Sequence, residues 1–298
     1  MSCDVFVAGS LHLDVVVDAP RMPRIDETLI GSAVAYRFGG KGGNQAVAAA
    51  RMGAAVEMAG RVGGDSFAGQ LLDGLDAAGV GRSAVLSGSG ASGMSVAIVD
   101  PGGDYGAIVV SAANLAIDAG EISVPEDARV VCLQNEIPEA ANLAAAVGAK
   151  DAGATVILNA APSRAFSTAL LDHVDVLVVN RVEAGDMSGK TDPEEAAQAL
   201  TGLGPATVIV TLGSDGLIWC TTATATRTMP AIAVEPVSSH GAGDMFVGAF
   251  AARLADGARM ENALGFAQAA AALHVSCPVD ERARLDRDTV EMLAAEIR

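Results

Sequence analysis

The chain is poor in aromatic and basic side chains, and both shortages exclude classes of partner. Aromatic residues make up 3% of its 298 residues, and 19 lysines and arginines face 36 aspartates and glutamates, for a formal net charge of −17. An acidic chain without a run of basic residues binds nucleic acids and anionic membranes poorly. Few rings are available to stack on unpaired bases. We therefore expect no nucleic-acid polymer and no membrane as partner.

The sequence also lacks paired cysteines, a leader segment and a long apolar run. No two cysteines form a Cys-x-x-Cys pair, so no zinc-binding cysteine motif is present. The amino terminus has no basic segment typical of a signal peptide. No apolar run reaches the roughly 20 residues that span a bilayer. We expect a cytoplasmic protein with free thiols. The four cysteines are Cys3, Cys132, Cys220 and Cys277.

What the chain does have is an alternation of short Val/Ile/Leu runs with alanine-rich segments. Such runs are typical of parallel strands covered by helices on both faces. The pattern predicts an α/β fold, a three-layer sandwich around a central, mostly parallel sheet. Predicted strands cover 5–8, 54–59, 129–133, 155–158, 176–179 and 207–210, followed by an antiparallel pair at 217–220 and 225–229. Predicted helices cover 44–51, 66–78, 138–149, 245–254, 261–275 and 288–297.

Two stretches interrupt the alternation, at 11–38 and 92–110. Neither has a helical pattern, and the sequence at 100–104, Asp-Pro-Gly-Gly-Asp, is typical of a hairpin turn. We interpret the two stretches as a small β-sheet lid beside the site face of the main sheet; an ordinary edge hairpin is the alternative. No repeat or low-complexity linker divides the chain, so we predict a single domain over 1–298.

Two glycine-containing segments imitate nucleotide-binding motifs but do not fit them. Segment 185–191 has one residue too few for a P-loop, and the sequence at 192–195 starts a helix that leaves Lys190 and Thr191 outside it. Segment 40–45 lacks the third glycine of the dinucleotide fingerprint and does not directly follow the first strand. We expect neither a P-loop nor an NAD site.

The sequence Gly241-Ala242-Gly243-Asp244 precedes a predicted helix. Small residues let the backbone approach a ligand closely, and unpaired amides at a helix start attract anions. Asp244 could accept a proton from an attacking hydroxyl. The alternative is a plain turn in which Asp244 only balances the helix dipole.

Two further segments suit a polyol. In the glycine-dense stretch 39–45, Lys41 and Asn44 could donate to hydroxyls. In a strand, His12 and Asp14 would share one face and could bind vicinal hydroxyls. The alternatives are a flexible loop and a structural histidine.

Asn180 and Glu183 follow the predicted strand 176–179. Ligands of open α/β sheets bind at the carboxyl ends of strands, and hard oxygen donors suit hydrated Mg²⁺. The pair is therefore a candidate magnesium site.

Taken together, these segments resemble the PfkB carbohydrate kinases, most closely their ribokinase-like members, over almost the whole chain. The early signature matches at 40–44 with Gly53 and Gly63 downstream, and the later one matches at 238–244. Their order and separation make the resemblance specific. Stretches 61–65, 133–136, 159–162 and 211–216 agree with it.

The resemblance implies a ribokinase-like sandwich with a small β-sheet lid that closes over the sugar and often forms a dimer contact. It implies that Asp244 is the base and that the amides of Gly241, Ala242 and Gly243 stabilise charge on the γ-phosphoryl group. The implied sugar-pocket residues are Asp14, Gly40, Lys41, Asn44, Glu136 and Asp244, with His12 beside them. The implied ATP and Mg²⁺ residues are Asn180, Glu183, Thr211, Gly213, Gly216, Gly243 and, with helix 265–275 near adenine, Gln268.

The chain departs from the family pattern in three places. Ser238 replaces an aspartate tied to an activating monovalent cation, and the segment after Ser276 is shortened, so K⁺ is a doubtful cofactor and we expect little activation by it. His12 replaces an asparagine, which leaves the sugar open. Gln268 replaces an asparagine or histidine, a mild change.

We therefore expect ATP- and Mg²⁺-dependent phosphorylation of the primary hydroxyl of a small sugar, first of all D-ribose, by a protein that forms a homodimer through the lid. Fructose, 2-keto-3-deoxygluconate and nucleosides are alternative substrates. A non-catalytic sugar-binding protein on the same fold is the alternative of another class, although such a protein would need no base at Asp244.

Overall fold

The computed structural model describes residues 2–102 and 105–296. Its strands are β1 (Val5–Ala8), β2 (His12–Asp18), β3 (Ala33–Gly39), β4 (Val56–Val62), β5 (Gly81–Ser87), β6 (Gly93–Val99), β7 (Tyr105–Val110), β8 (Val130–Gln134), β9 (Thr155–Asn159), β10 (Val176–Asn180), β11 (Thr207–Thr211), β12 (Leu217–Thr221) and β13 (Thr224–Met229). Its α-helices are α1 (Lys41–Arg51), α2 (Ser66–Ala77), α3 (Glu139–Ala152), α4 (Thr168–Leu171), α5 (Arg181–Ser188), α6 (Pro193–Thr201), α7 (Ala242–Ala255), α8 (Met260–Ser276) and α9 (Arg287–Glu296).

Nine strands form the main sheet, in the order β13-β12-β11-β10-β9-β8-β1-β4-β5. The strands from β11 to β5 pair in parallel, and only β12 and β13 are antiparallel. The apolar runs place side chains alternately on the two faces, so Val5 and Val7 enter one hydrophobic cluster while Phe6 and Ala8 enter the other. Helices α1, α2, α7, α8 and α9 cover the first face, and α3 to α6 cover the second. The predicted α/β sandwich is confirmed.

A second sheet has four strands in the order β3-β2-β6-β7. It is built from the two stretches that interrupt the alternation, and β2 and β6 pair in parallel at its centre. The predicted small sheet is therefore confirmed. Of the predicted turn at 100–104, Asp100, Pro101 and Gly102 follow β6, while Gly103 and Asp104 lie outside the described residues.

The two helices nearest the candidate site begin earlier than the sequence predicts. Helix α1 starts at Lys41 rather than at 44, and α7 starts at Ala242 rather than at 245. Low glycine propensity argued against helix at both places. Close packing overrides it: a Cβ at Gly42 would lie 2.5 Å from the backbone nitrogen of Ser10. As a result, Lys41 and Asp244 both lie in the first turn of a helix.

Other differences have local causes. The strand predicted at 54–59 lies at Val56–Val62, because β1 and β5 supply pairing partners on both sides. Strand β5 and helices α4 and α5 are additions to the predicted elements. The false P-loop is the end of α5, closed by left-handed Gly189, and Asp192 caps α6 as predicted. The predicted final helix extends to residue 297, which lies outside the described residues. Within the described ranges, no helix combines the length and apolarity needed to cross a membrane.

Candidate active site

Asp244 lies in the first turn of α7 and is 7% exposed. Its Oδ1 accepts a hydrogen bond from Gln45 Nε2 at 3.0 Å, and its Oδ2 accepts one from Asn44 Nδ2 at 3.2 Å. Both donors lie on α1, which packs directly against α7. The helices come this close because Gly248 has no side chain: a Cβ there would lie 2.5 Å from the Cβ of Ala48. The helix pair thus fixes the orientation of the carboxylate.

Lys41 supplies a positive charge next to the carboxylates of this buried site. Burial raises the pKa of Asp244, while the positive charge of Lys41 and the hydrogen bonds from Gln45 and Asn44 act in the opposite direction. Burial by itself would lower the pKa of Lys41, but the carboxylates of Asp244, Glu136 and Glu183 outweigh it and raise that pKa. The lysine is therefore a firmly protonated ammonium among three carboxylates.

Unpaired amides surround the start of α7. Gly241 is in the left-handed conformation, with φ of 78°, and is the N-terminal flanking residue of the helix. Among the described residues, the amides of Gly241, Gly243 and Asp244 have no hydrogen-bond acceptor, whereas the amide of Ala242 donates to the Ser239 carbonyl at 3.2 Å. Three free amides at the positive end of a helix dipole form an anion cradle beside the Asp244 carboxylate.

The residues predicted to bind sugar gather around Glu136. Its Oε2 accepts hydrogen bonds from the Ser10 hydroxyl and, at 2.8 Å, from the backbone amide of Lys41. His12 Nδ1 lies 3.8 Å from the same oxygen. His12 Nε2 is buried and has no hydrogen-bond partner among the described residues.

Asp14 lies on the same face of β2 as His12, as strand periodicity predicts. Its Oδ1 accepts a hydrogen bond from the Ser95 hydroxyl, and its Oδ2 lies 3.8 Å from Nε2 of the exposed His240. Gly39 makes room for it, because a Cβ there would be 2.2 Å from Oδ2. The small sheet and the loop before α7 therefore meet at Asp14.

The glycine-dense segment serves a close backbone contact rather than flexibility. Gly40 has φ of 89°, and a Cβ there would lie 2.7 Å from the His12 nitrogen. The Gly43 amide donates to the Ser10 carbonyl at 2.9 Å. These contacts press the start of α1 onto the loop between β1 and β2, so the backbone amide of Lys41 and the ring of His12 both lie beside Glu136.

A chain of hydrogen-bonded, buried side-chain amides leads to Asp244, and none of these residues carries a motif that predicts a role for it. Gln45 Oε1 accepts from Gln134 Nε2 at 2.8 Å, and Gln45 Nε2 also donates to Asn159 Oδ1 at 3.1 Å. Gln134 and Asn159 end the neighbouring strands β8 and β9. The sequence signal for these residues is a polar side chain at the end of an apolar strand, because the carboxyl ends of strands face ligands in open sheets.

Asn180 and Glu183 form a capping box at the start of α5. Asn180 Oδ1 accepts from the Glu183 amide at 2.9 Å, and Glu183 Oε2 accepts from the Asn180 amide at 2.8 Å. Burial raises the pKa of Glu183. Its Oε1 has no hydrogen bond among the described residues, so one carboxylate oxygen remains for a hydrated cation. No group of three or more His, Cys, Asp or Glu side chains is placed to bind a metal directly in the described part of the chain.

Three residues predicted to contact the nucleotide lie at the end of β11 or in the loop that follows it: Thr211, Gly213 and Gly216. Thr211 ends that strand, and Gly213 starts a short 3₁₀ turn. Gly216 has a structural role of its own, because a Cβ there would be 2.1 Å from the Met229 carbonyl oxygen. Gln268 lines a cavity of about 270 Å³ together with Met229, Pro230, Ile232, Glu261, Asn262, Gly265 and Ala294. The described residues that line this cavity include no aromatic ring.

A family model described as pfkB family carbohydrate kinase matches residues 3–282. The match covers nearly the whole sheet and every candidate site residue. The chain belongs to the pfkB family of carbohydrate kinases.

The pfkB kinases most similar to it include ribokinases. The ribokinase of Bacillus subtilis is 35% identical over 276 residues, which cover 91% of this chain and 92% of that protein. A deoxyribokinase of Salmonella typhi is 31% identical over 259 residues, 83% of this chain and 84% of that one. The structure of Arabidopsis thaliana ribokinase complexed with ribose and ATP has a TM-score of 0.90 and 31% identity, covering 99% of both chains.

This pfkB kinase is therefore an enzyme that transfers a phosphoryl group from ATP to a sugar. Its fold brings the predicted base, amides and sugar-pocket residues to one place, where β1, β2, α1 and α7 meet. Of the predicted magnesium and nucleotide residues, Asn180 and Thr211 end the paired strands β10 and β11, and Glu183, Gly213 and Gly216 follow these strands. Gly243 lies on α7 and Gln268 on α8. Gln45, Gln134 and Asn159 join the site through hydrogen bonds that lead to Asp244, the predicted base.

Proposed function

We propose that this kinase phosphorylates the primary hydroxyl of D-ribose with ATP. The observation that carries the proposal is the Asp244 carboxylate, buried, held by two α1 amides and adjacent to the free amides of Gly241 and Gly243. The similarity to ribokinases over nine-tenths of the chain favours ribose among the possible sugars.

In the proposed mechanism, Asp244 accepts the proton of the sugar hydroxyl as that oxygen attacks the γ-phosphorus. The amides at the start of α7 stabilise the charge that develops on the transferred group, and the ammonium of Lys41 favours the ionised form of Asp244. Phosphoryl transfer needs positioning and charge stabilisation more than covalent chemistry, which is what this site offers. Closure of the small sheet over the sugar would keep water from competing.

The residues at the end of β10 fit Mg²⁺. Glu183 offers a carboxylate oxygen, and the side-chain amide of Asn180 lies beside it. Both side chains would hold the ion through its water shell. When bound, Mg²⁺ would neutralise phosphate charge. We place the nucleotide along Thr211, Gly213 and Gly216, with adenine in the aliphatic cavity lined by Gln268. We further propose a cytoplasmic protein and a single domain over 1–298 that carries its lid on the stretches 11–38 and 92–110.

Deoxyribose is the second candidate substrate. The buried imidazole of His12 stands where the family pattern has an amide, and a deoxyribokinase is among the similar proteins. An amide side chain can hydrogen-bond two hydroxyls of a sugar, whereas an imidazole that bonds only one would tolerate a sugar that lacks the second.

A substrate screen tests the proposed function. Purified enzyme is given Mg·ATP with ribose, deoxyribose, fructose, 2-keto-3-deoxygluconate or a nucleoside, and ADP release is measured. We expect the highest kcat/KM with ribose, deoxyribose next, and no turnover when a chelator removes Mg²⁺. A clear preference for another sugar would refute ribose while leaving the kinase class intact.

The small sheet also suits a homodimer contact. Tyr36, Val96 and Ile108 lie in one row across it, through the register of β3, β2, β6 and β7, and all three side chains are exposed. An exposed apolar row of this kind favours burial against a second copy. We expect sedimentation equilibrium to give twice 29.8 kDa and Ile108→Lys to halve that mass, while Val182→Lys on α5 leaves it unchanged. A monomeric unmodified protein would contradict the contact.

A further inference from the structure

Arg282 is a buried cation without a carboxylate partner. It lies in the 3₁₀ segment Val279–Arg284, is 7% exposed and forms no ion pair within the described residues. Its guanidinium donates instead to three backbone carbonyls: Nη2 to Ser238 at 2.6 Å, Nη1 to His240 at 2.9 Å and Nε to Cys277 at 3.4 Å. The carbonyls come from the loop before α7 and from the end of α8.

A charge in this position is costly unless its surroundings compensate for it. Burial lowers the pKa of Arg282, Cys277 acts in the opposite direction and Arg37 lowers it further, and no carboxylate pairs with the guanidinium among the described residues. What compensates is the set of converging carbonyl dipoles, the same ligands that replace the water shell of a monovalent cation in ion-selective proteins. The three carbonyls thus form a cation site, and the guanidinium of Arg282 fills it.

The site is coupled to the anion cradle through one peptide plane. In a trans peptide the C=O and N–H bonds point in opposite directions. Arg282 and His274 Nε2 both hydrogen-bond the His240 carbonyl, each at 2.9 Å, so they fix the plane between His240 and Gly241. The Gly241 amide must then point away from Arg282, and it has no acceptor among the described residues. Losing the guanidinium would leave His274 as the only side chain holding this plane among the described residues, so the plane would be less firmly fixed.

We propose that Arg282 is a built-in cation that positions the Gly241 amide for the transferred phosphoryl group and makes a dissociable monovalent cation unnecessary. It is a positioning residue, because it acts through the loop at 238–241. The inference rests on phosphoryl transfer from ATP and not on which sugar is phosphorylated. It also supplies a physical cause for the weak K⁺ activation expected from Ser238 and the shortened segment after Ser276.

The first test needs no substitution. Initial rates of the unmodified enzyme are measured at fixed ionic strength while K⁺ replaces tetramethylammonium. We expect the rate to stay the same, because the carbonyl site is already filled. Strong stimulation by K⁺ would show that a separate cation is still required and would overturn the proposal.

The second test empties the site with Arg282→Ala, using Arg284→Ala as the matched control because Arg284 is exposed on the same 3₁₀ segment. A misplaced catalytic group costs up to about 10²-fold in rate, so we expect a fall of that order in kcat with little change in KM for the sugar. Added guanidinium or K⁺ should restore part of kcat in Arg282→Ala and have no effect on Arg284→Ala.

Restoration is the readout that a purely structural role would not give. A folded Arg282→Ala enzyme with unchanged kcat, or with a loss that no cation restores, would overturn the proposal; folding is followed by circular dichroism. If Arg282→Ala does not fold, Arg282→Gln takes its place, since it keeps donors and removes the charge. If ribose is not the substrate, the unmodified enzyme shows no turnover with ribose, which distinguishes that outcome from a failure of the Arg282 proposal. The cation titrations are then run with the sugar that the substrate screen identifies.

Discussion

Asp244→Asn is expected to lower kcat by about 10²–10⁴-fold while the sugar still binds, because a positioned general base contributes a factor of that size. The substitution removes the base and preserves its surroundings. Gln45 Oε1 is engaged by Gln134, so Gln45 Nε2 must remain a donor and the introduced asparagine must turn its oxygen towards it. The new NH₂ group then faces Asn44, whose amide can turn to present an oxygen. Both hydrogen bonds survive.

The measurement pairs ADP release with calorimetric titration of the sugar. Asp151→Asn, at an exposed aspartate of α3, is the control and should behave like the unmodified enzyme. Unchanged turnover in Asp244→Asn would refute the role of the base. It would also bring back the non-catalytic sugar-binding protein as the better description of the site.

The pH dependence follows from the same carboxylate. Only ionised Asp244 can accept a proton, and burial raises its pKa while Lys41 and the hydrogen bonds from Gln45 and Asn44 counter that rise. The rate of the unmodified enzyme should therefore fall as the pH drops through this raised pKa. The residual rate of Asp244→Asn should lack that decline.

The order of strands and helices was predictable because it depends on local patterns. Runs such as Val176–Asn180 are apolar at every buried position, and Asp192 with Pro193 is an unambiguous helix start. The start of α1 was not predictable in this way. It depends on the fit of Gly42 against Gly9 and Ser10, a contact across 32 residues that no local propensity records.

The residues of the candidate site also differ in whether local sequence could predict them. Asp244 and Lys41 lie in glycine-rich segments whose composition already indicates anion and polyol binding. Gln45, Gln134 and Asn159 form their hydrogen-bonded chain only after three distant segments meet. Arg282 is the extreme case, because nothing in the sequence around it distinguishes it from the exposed Arg284 two residues later. Its role depends on carbonyls contributed by residues 238, 240 and 277.

Gly248→Ala is expected to damage both stability and activity, since it separates the helices that hold Asp244. The added Cβ would lie 2.5 Å from the Gln45 carbonyl oxygen and 2.8 Å from the Ala49 nitrogen. These are backbone atoms of α1 and cannot move aside as a side-chain tip could. Overpacking of this kind costs about 1–3 kcal/mol of unfolding free energy.

The same displacement carries Asn44 and Gln45 away from Asp244, and a shift of about 1 Å can cost about 10²-fold in rate. Gly69→Ala is the matched control, because Gly69 lies within α2 and a methyl group added there would meet no atom within 4 Å. Removing a helical glycine should stabilise by about 0.5–1 kcal/mol. Denaturant unfolding and kcat are measured for both variants. If Gly248→Ala lost stability but kept kcat, the contact between α1 and α7 would support the fold without orienting the base, and the hydrogen bonds to Asp244 would have to tolerate the displacement.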